Sequence, residues 1–167
     1  SVALPEVIGV HLKNKCLEGI TSTDLVLTIT ELLRKHKVVG SFVEFFGEGV
    51  NSLSVGDRAT ISNMAPEYGS TAVLFPVDHL TLDYLRMTGR NEDQIKMIEE
   101  YSKSQHLWRD DRETPTYSRT IELDLSSVVP CVSGPKNPED RLNLNDLSKS
   151  AHYFIISSSN VNWEFLD

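Results

Sequence analysis

Asn63 and Glu67 are the two side chains in this sequence whose types and spacing best suit chemistry. They stand four residues apart within GEGVNSLSVGDRATISNMAPEYGSTAVLFPVD, residues 47–78. An amide donates to a ligand, and a carboxylate orients a histidine, holds its tautomer and raises its proton affinity. On one continuous helix the two would share a face. Pro66 lacks an N–H and clashes with the preceding turn, so the chain is expected to bend close to Glu67. From Ala59 to Val73 the only charged residue is Glu67. A lone carboxylate among small and apolar residues is expensive to bury unless something pairs with it. That is the pattern of a substrate pocket, although spacing alone favours the plainer reading, in which Asn63 bonds local backbone and Glu67 is a solvated or capping carboxylate.

Other candidates carry less. Glu44 and Glu48 bracket the glycine turn after an apolar stretch, a common place for function in α/β sheets, but the faces cannot be assigned and Glu44 reads as structural. The Gly47-Glu48-Gly49 triplet lacks the Lys-Ser/Thr of a phosphate loop. His11, His36, His79, His106 and His152 are dispersed, with no HxxxH spacing. Ser133 has no Gly-x-Ser-x-Gly elbow around it and reads as a turn residue. Cys16 and Cys131 lie far apart, without the close pairing or histidine neighbours of a zinc site, and read as buried structural thiols. No metal ligand set is expected in this chain.

These residues must be positioned by a fold of about one domain, since the chain has 167 residues and 40% hydrophobic content. A net charge of −8 with scattered Lys and Arg disfavours nucleic-acid binding. No run approaches the roughly 18 apolar residues of a membrane span, and the start, SVALPEVIGV, has neither a basic targeting region nor an initiator Met. The chain reads as opening in mid-protein, already heading into a strand.

Val7 to Leu12 alternates as a strand. Thr21, Ser22 and Thr23 offer caps to a helix bearing Leu25, Ile29, Leu32 and Leu33 on one face, closed by Arg34 to Lys37. Val38 to Phe46 reads as a second strand, and Ser54 caps a helix from about Val55. Ala72 to Val77 is a short strand that Pro76 pushes toward an edge or an end. Thr81–Thr88 and Glu92–Ser104 read as helices, residues 109–119 as a polar loop, Thr120–Leu125 as a half-buried strand, and Ser133–Arg141 as a turn-rich connection. The fold class is α/β, a small, mostly parallel sheet flanked by helices. After Leu147 the pattern changes, and apart from a possible strand at Tyr153–Ile156 the segment 148–167 has no readable plan.

Four stretches, TSTDLVLTITELLRKHKVVGSFVEFFGEGV, DRATISNMAPEYGSTAVLFPVD, TLDYLRMTGR and VVPCVSGPKNPEDR, resemble the aconitase and iron regulatory protein family, most nearly its cytosolic-type aconitate hydratases. The resemblance runs from about Val2 to Leu147, so residues 1–147 read as an aconitase-like domain and 148–167 as a divergent tail. It implies a lyase that interconverts citrate and isocitrate through cis-aconitate, using a 4Fe-4S cluster whose open iron acts as a Lewis acid. By resemblance Asn63 lies against the cluster, and Glu67 is a catalytic carboxylate paired with an active-site histidine that protonates the departing hydroxyl. The family's three cluster cysteines, its substrate-binding arginines and its serine base have no counterpart here. The expectation is therefore a fragment covering roughly the second domain, inactive alone and without a cluster of its own, whose partners are the remaining aconitase domains. The compartment implied is cytoplasmic or mitochondrial, the cytoplasm being favoured. The alternative is a binding module derived from an iron regulatory protein, contacting RNA or a partner, against which the acidic balance argues.

Overall fold

The computed structural model describes residues 4–112, 115–134 and 136–148. Four strands form one parallel sheet: β1 (Val7–Lys13), β2 (Phe42–Phe46), β3 (Ala72–Leu74) and β4 (Arg119–Asp124), in the order β3-β2-β1-β4. Val10 is paired with Phe45 on one side and Ile121 on the other. Two short strands, β5 (Cys131–Ser133) and β6 (Arg141–Asn143), pair antiparallel as a hairpin. The sequence had shown only their connection.

Alternation along β1 sends Ile8, Val10 and Leu12 to a face where they are fully buried. That face is covered by α1 (Ser22–Lys35), α2 (Val55–Asn63) and α3 (Ala65–Tyr68), which supply Leu25, Ile29, Leu33, Ile61 and Tyr68 to one core with Val43, Phe45, Ile121 and Leu123. Thr21 caps α1 in a capping box with Asp24, and Arg34 and Lys35 occupy its last turn, as the dipole favours. Two further helices, α4 (His79–Met87) and α5 (Glu92–Ser104), pack on each other beyond β3. The helix expected at Thr81 begins earlier because Asp78 caps it.

Two strands are shorter than expected. Residues 38–41 form a turn, because Lys37 (φ 53°) and Gly40 (φ 77°) adopt left-handed backbone that no strand accommodates, and Ser41 N–H donates to Val38 O. Val38 is nevertheless fully buried. β3 stops at Leu74, ahead of Pro76, and lies at the sheet edge. The expected strand at Tyr153–Ile156, His152, and nearly all of the expected tail lie outside the described residues.

Candidate active site at the amino edge of the sheet

The segment bearing Asn63 and Glu67 starts at the carboxyl end of β2. A 3-10 turn, Glu48–Ser52, leads to Ser54, whose hydroxyl caps α2 in a capping box with Asp57. Asn63 is the last residue of α2. Met64 (φ −83°, ψ 6°) is the joint, and α3 follows with Pro66 in its first turn, where a missing N–H costs nothing. The proline therefore starts a new short helix. Gly69, in the left-handed region at φ 85°, ends it.

Three contacts fix where this places Glu67. Gly40 N–H donates to Gly69 O at 2.9 Å, Thr71 N–H to Ser41 O at 2.9 Å, and the Ser70 hydroxyl to Ser41 O at 3.0 Å. The end of α3 is thus tied to the residues just ahead of β2 and β3, at the amino edge of the sheet. Carboxyl ends of parallel strands are the usual ligand side of such folds; this pair stands on the other.

Asn63 is exposed and makes no side-chain hydrogen bond among the described residues. Glu67 is half-buried, and its Oε2 is a fully buried polar atom with no hydrogen-bond partner among the described residues. Next to it Tyr68 is buried and donates its hydroxyl to Ile61 O at 2.8 Å. Burial, and secondarily the charge of Glu67, push that phenol well above its usual range. A carboxylate oxygen sealed from water without a donor is costly. It is a acceptor waiting for a donor that the described residues do not provide.

A cavity of about 890 Å³ lies elsewhere, and Asn63 and Glu67 do not line it. His11, Glu44, Phe46, Trp108, Arg109 and Tyr117 do. Of the segment 47–78, the glycine turn and residues 74–77 reach this cavity, so the expected pocket around Asn63 and Glu67 is not built by this segment alone. Glu44 accepts the Tyr117 hydroxyl at 3.1 Å, as a structural residue should. Glu48 accepts the backbone N–H of Asn14 and stands 3.8 Å from His11, which stacks on Phe46.

Sequence reasoning missed Arg58 and Asp78, a buried ion pair with contacts of 2.6 and 3.0 Å. A signal existed: Arg58 is the only Lys or Arg between Lys37 and Arg86. It sits three residues before Ile61 and seven before Ala65, on the face of the helix that meets the core.

A 4Fe-4S cluster does not fit the residues present. Among the described residues no group of three or more His, Cys, Asp or Glu is placed to hold a metal. Cys131 is buried and engaged by Asp24, Cys16 is half-buried against the core, and burial pushes both thiols up, away from the thiolate that iron binds.

The fold and site together define a parallel α/β domain with a carboxylate at its amino edge that has no partner among the described residues. The chain belongs to the aconitase family (aconitate hydratase), which it matches over residues 1–162, a span that includes most of the segment after Leu147. It is similar to aconitate hydratase A of Escherichia coli K12, 52% identical over 150 residues, 90% of this chain and 17% of the relative. Aconitate hydratase A of Rickettsia bellii is 55% identical over 148 residues, 89% of this chain and 17% of the relative. That of Streptomyces viridochromogenes is 54% identical over 149 residues, 89% and 16%. The chain thus spans about one sixth of the length of the curated relatives it matches. No helix among the described residues is long and apolar enough to cross a membrane.

Proposed function

We propose that this chain is the part of an aconitate hydratase that brings Asn63 and Glu67 to an active site completed by other domains of the same enzyme. The reaction is the interconversion of citrate and isocitrate through cis-aconitate, and the compartment is the cytoplasm or the mitochondrion, the cytoplasm favoured. A 4Fe-4S cluster, held by cysteines this chain does not contain, supplies Lewis-acid activation of the substrate hydroxyl and carboxylate when bound. The chain's own contribution is electrostatic. Glu67 Oε2 accepts a hydrogen bond from a histidine of another domain, fixes its tautomer and favours its protonated form, so that it delivers a proton to the departing hydroxyl. Asn63, at the exposed end of α2, offers an amide to the substrate or the cluster side of the site.

The observation that carries this reading is the buried Oε2 of Glu67, which has no partner among the described residues. An orphaned acceptor costs stability and persists where function uses it. The test is Glu67→Gln in the complete holoenzyme. The expected result is a kcat lowered by roughly 10²-fold or more, in the range of general acid–base contributions, with a smaller change in KM for citrate. A kcat within about twofold of the unsubstituted enzyme would overturn it. The RNA-binding alternative gains nothing from the structure: Arg34, Lys35, Arg86, Lys103 and Arg119 on the surface each stand against a carboxylate.

A further inference from the structure

Only Arg58 and Ile61 are buried among the residues of α2. Most helices are held to a sheet by an apolar stripe, and that attraction is non-directional, so it tolerates small slides and rotations. Helix α2 has almost no stripe. Beside Ile61 in the core, the Tyr68 hydroxyl on Ile61 O and the Ser22 hydroxyl on Asp57, it is held by the guanidinium of Arg58, 5% exposed, whose donors are all engaged. Nε donates to Leu53 O at 3.1 Å; Nη2 to Val50 O at 3.1 Å and Asp78 Oδ2 at 2.6 Å; Nη1 to Asp78 Oδ1 at 3.0 Å and Pro76 O at 3.4 Å. These acceptors come from three places: the 3-10 turn after β2, the exit of β3, and the cap of α4. Asp78 is equally fixed, since its Oδ1 also accepts from the Thr81 N–H at 3.2 Å.

We propose that Arg58 and Asp78 are positioning residues for the aconitase reaction. Their forked pair sets the rotation and axial placement of α2, and so the points at which Asn63, five residues on, and Glu67, across the Met64 joint, meet the active site. The inference rests on the reading of Asn63 and Glu67 given above. The planar fork of arginine holds a geometry that a single ammonium does not. A buried pair of this kind gains little over a well-packed apolar replacement, and in some proteins such a pair is retained for conformational specificity. Neither residue touches substrate; both act through where α2 ends.

The experiment is a double-mutant cycle between Arg58→Lys and Glu67→Gln in the complete holoenzyme, with amide hydrogen exchange over residues 63–69 in each variant. Arg58→Lys keeps the charge and loses the fork. Expected is a kcat about tenfold lower with KM for citrate within about twofold, since small misplacements of catalytic groups are expensive. In the Glu67→Gln background the same change should lower kcat by clearly less, because the part of its effect that passes through Glu67 is already lost. An equal fall in both backgrounds would mean general weakening of the fold and would overturn the proposal, as would an unchanged kcat beside a Glu67→Gln defect. If Glu67→Gln itself leaves kcat intact, the active-site reading fails separately, and exchange decides this one: faster exchange at residues 64–69 with β1 unchanged supports positioning, and unchanged exchange refutes it. Should Arg58→Lys fail to fold, Asp78→Asn, which keeps the cap oxygen and the volume, takes its place with the same outcomes.

Discussion

One carboxylate oxygen of Asp24 accepts the backbone N–H of Cys131 at 2.8 Å, while the other accepts the N–H and hydroxyl of Thr21 at 2.9 and 2.7 Å. A single buried side chain therefore joins the start of α1 to the hairpin 107 residues further on. Burial by itself pushes this carboxyl up, but the hydrogen bonds from Thr21 and Cys131 outweigh it and hold the carboxyl below its ordinary 3.8.

Asp24→Ala should cost about 2–4 kcal/mol, combining a lost helix cap with an orphaned buried N–H at Cys131, and urea denaturation measures it. The pH dependence follows from the direction of the shift. With the folded carboxyl titrating below its ordinary value, the unfolded chain binds more protons between the two values. The stability Asp24 contributes is complete above the ordinary value and is lost as pH falls through the folded one. Thermal midpoints of the parent chain should drop more steeply on acidification through that window than those of Asp24→Ala; parallel curves would refute this.

Gly9 and Tyr117 make a second long-range contact. A Cβ at Gly9 would overlap the Tyr117 ring, which also lies 5.1 Å from the Phe46 ring and donates its hydroxyl to Glu44 at 3.1 Å. Tyr117→Phe should cost about 0.5–1.5 kcal/mol, the worth of one hydrogen bond. Gly9→Ala, which must push the whole ring away from the central strand, should cost about 1–3 kcal/mol. If Gly9→Ala proved the milder of the two in denaturant melts, the ring would not rest on the glycine.

What the sequence disclosed and what it hid divide along physical lines. The amphipathic spacing of Leu25, Ile29 and Leu33, the Thr21–Asp24 cap and the β-branched alternation of β1 are local signals, and each element formed where local chemistry placed it. Residues 38–41 misled because Val38 and Val39 have strand-like side chains, whereas the backbone is left-handed at Lys37, where its N–H closes the end of α1 on Arg34 O, and at Gly40, whose N–H bonds Gly69 O. The hairpin strands escaped notice because three residues are too few to show a period. Asn63 and Glu67 stood out through local poverty of charge; the Arg58–Asp78 pair did not, because its meaning lies in a contact across 20 residues.

The orphaned oxygen of Glu67 predicts a conflict between stability and function. With no donor for Oε2 among the described residues, neutralising the side chain should leave the isolated chain as stable or raise its stability by about 1 kcal/mol. Glu67→Gln, which is expected to be ruinous for turnover in the complete enzyme, should therefore be harmless or favourable in a urea titration of the 167-residue chain. A loss of more than about 1 kcal/mol would show that the carboxylate has a partner within the chain.

Gly69 is the last constraint on that carboxylate, and it acts twice. Its φ of 85° lies in the region that L side chains rarely adopt, and a Cβ there would stand 2.8 Å from Val39 Cγ2. Gly69→Ala should therefore destabilise by about 1–2 kcal/mol from backbone strain, with a steric part added. Val39 is 65% exposed, so its side chain has room to yield. Combining Gly69→Ala with Val39→Ala should recover only the steric part, because trimming a neighbour leaves the left-handed backbone as strained as before. Full recovery in the double variant would assign the whole cost to the methyl contact and none to φ. Since α3 ends at this glycine, the single variant should also move Glu67, which shows in the complete enzyme as a kcat loss that Val39→Ala repairs only in part.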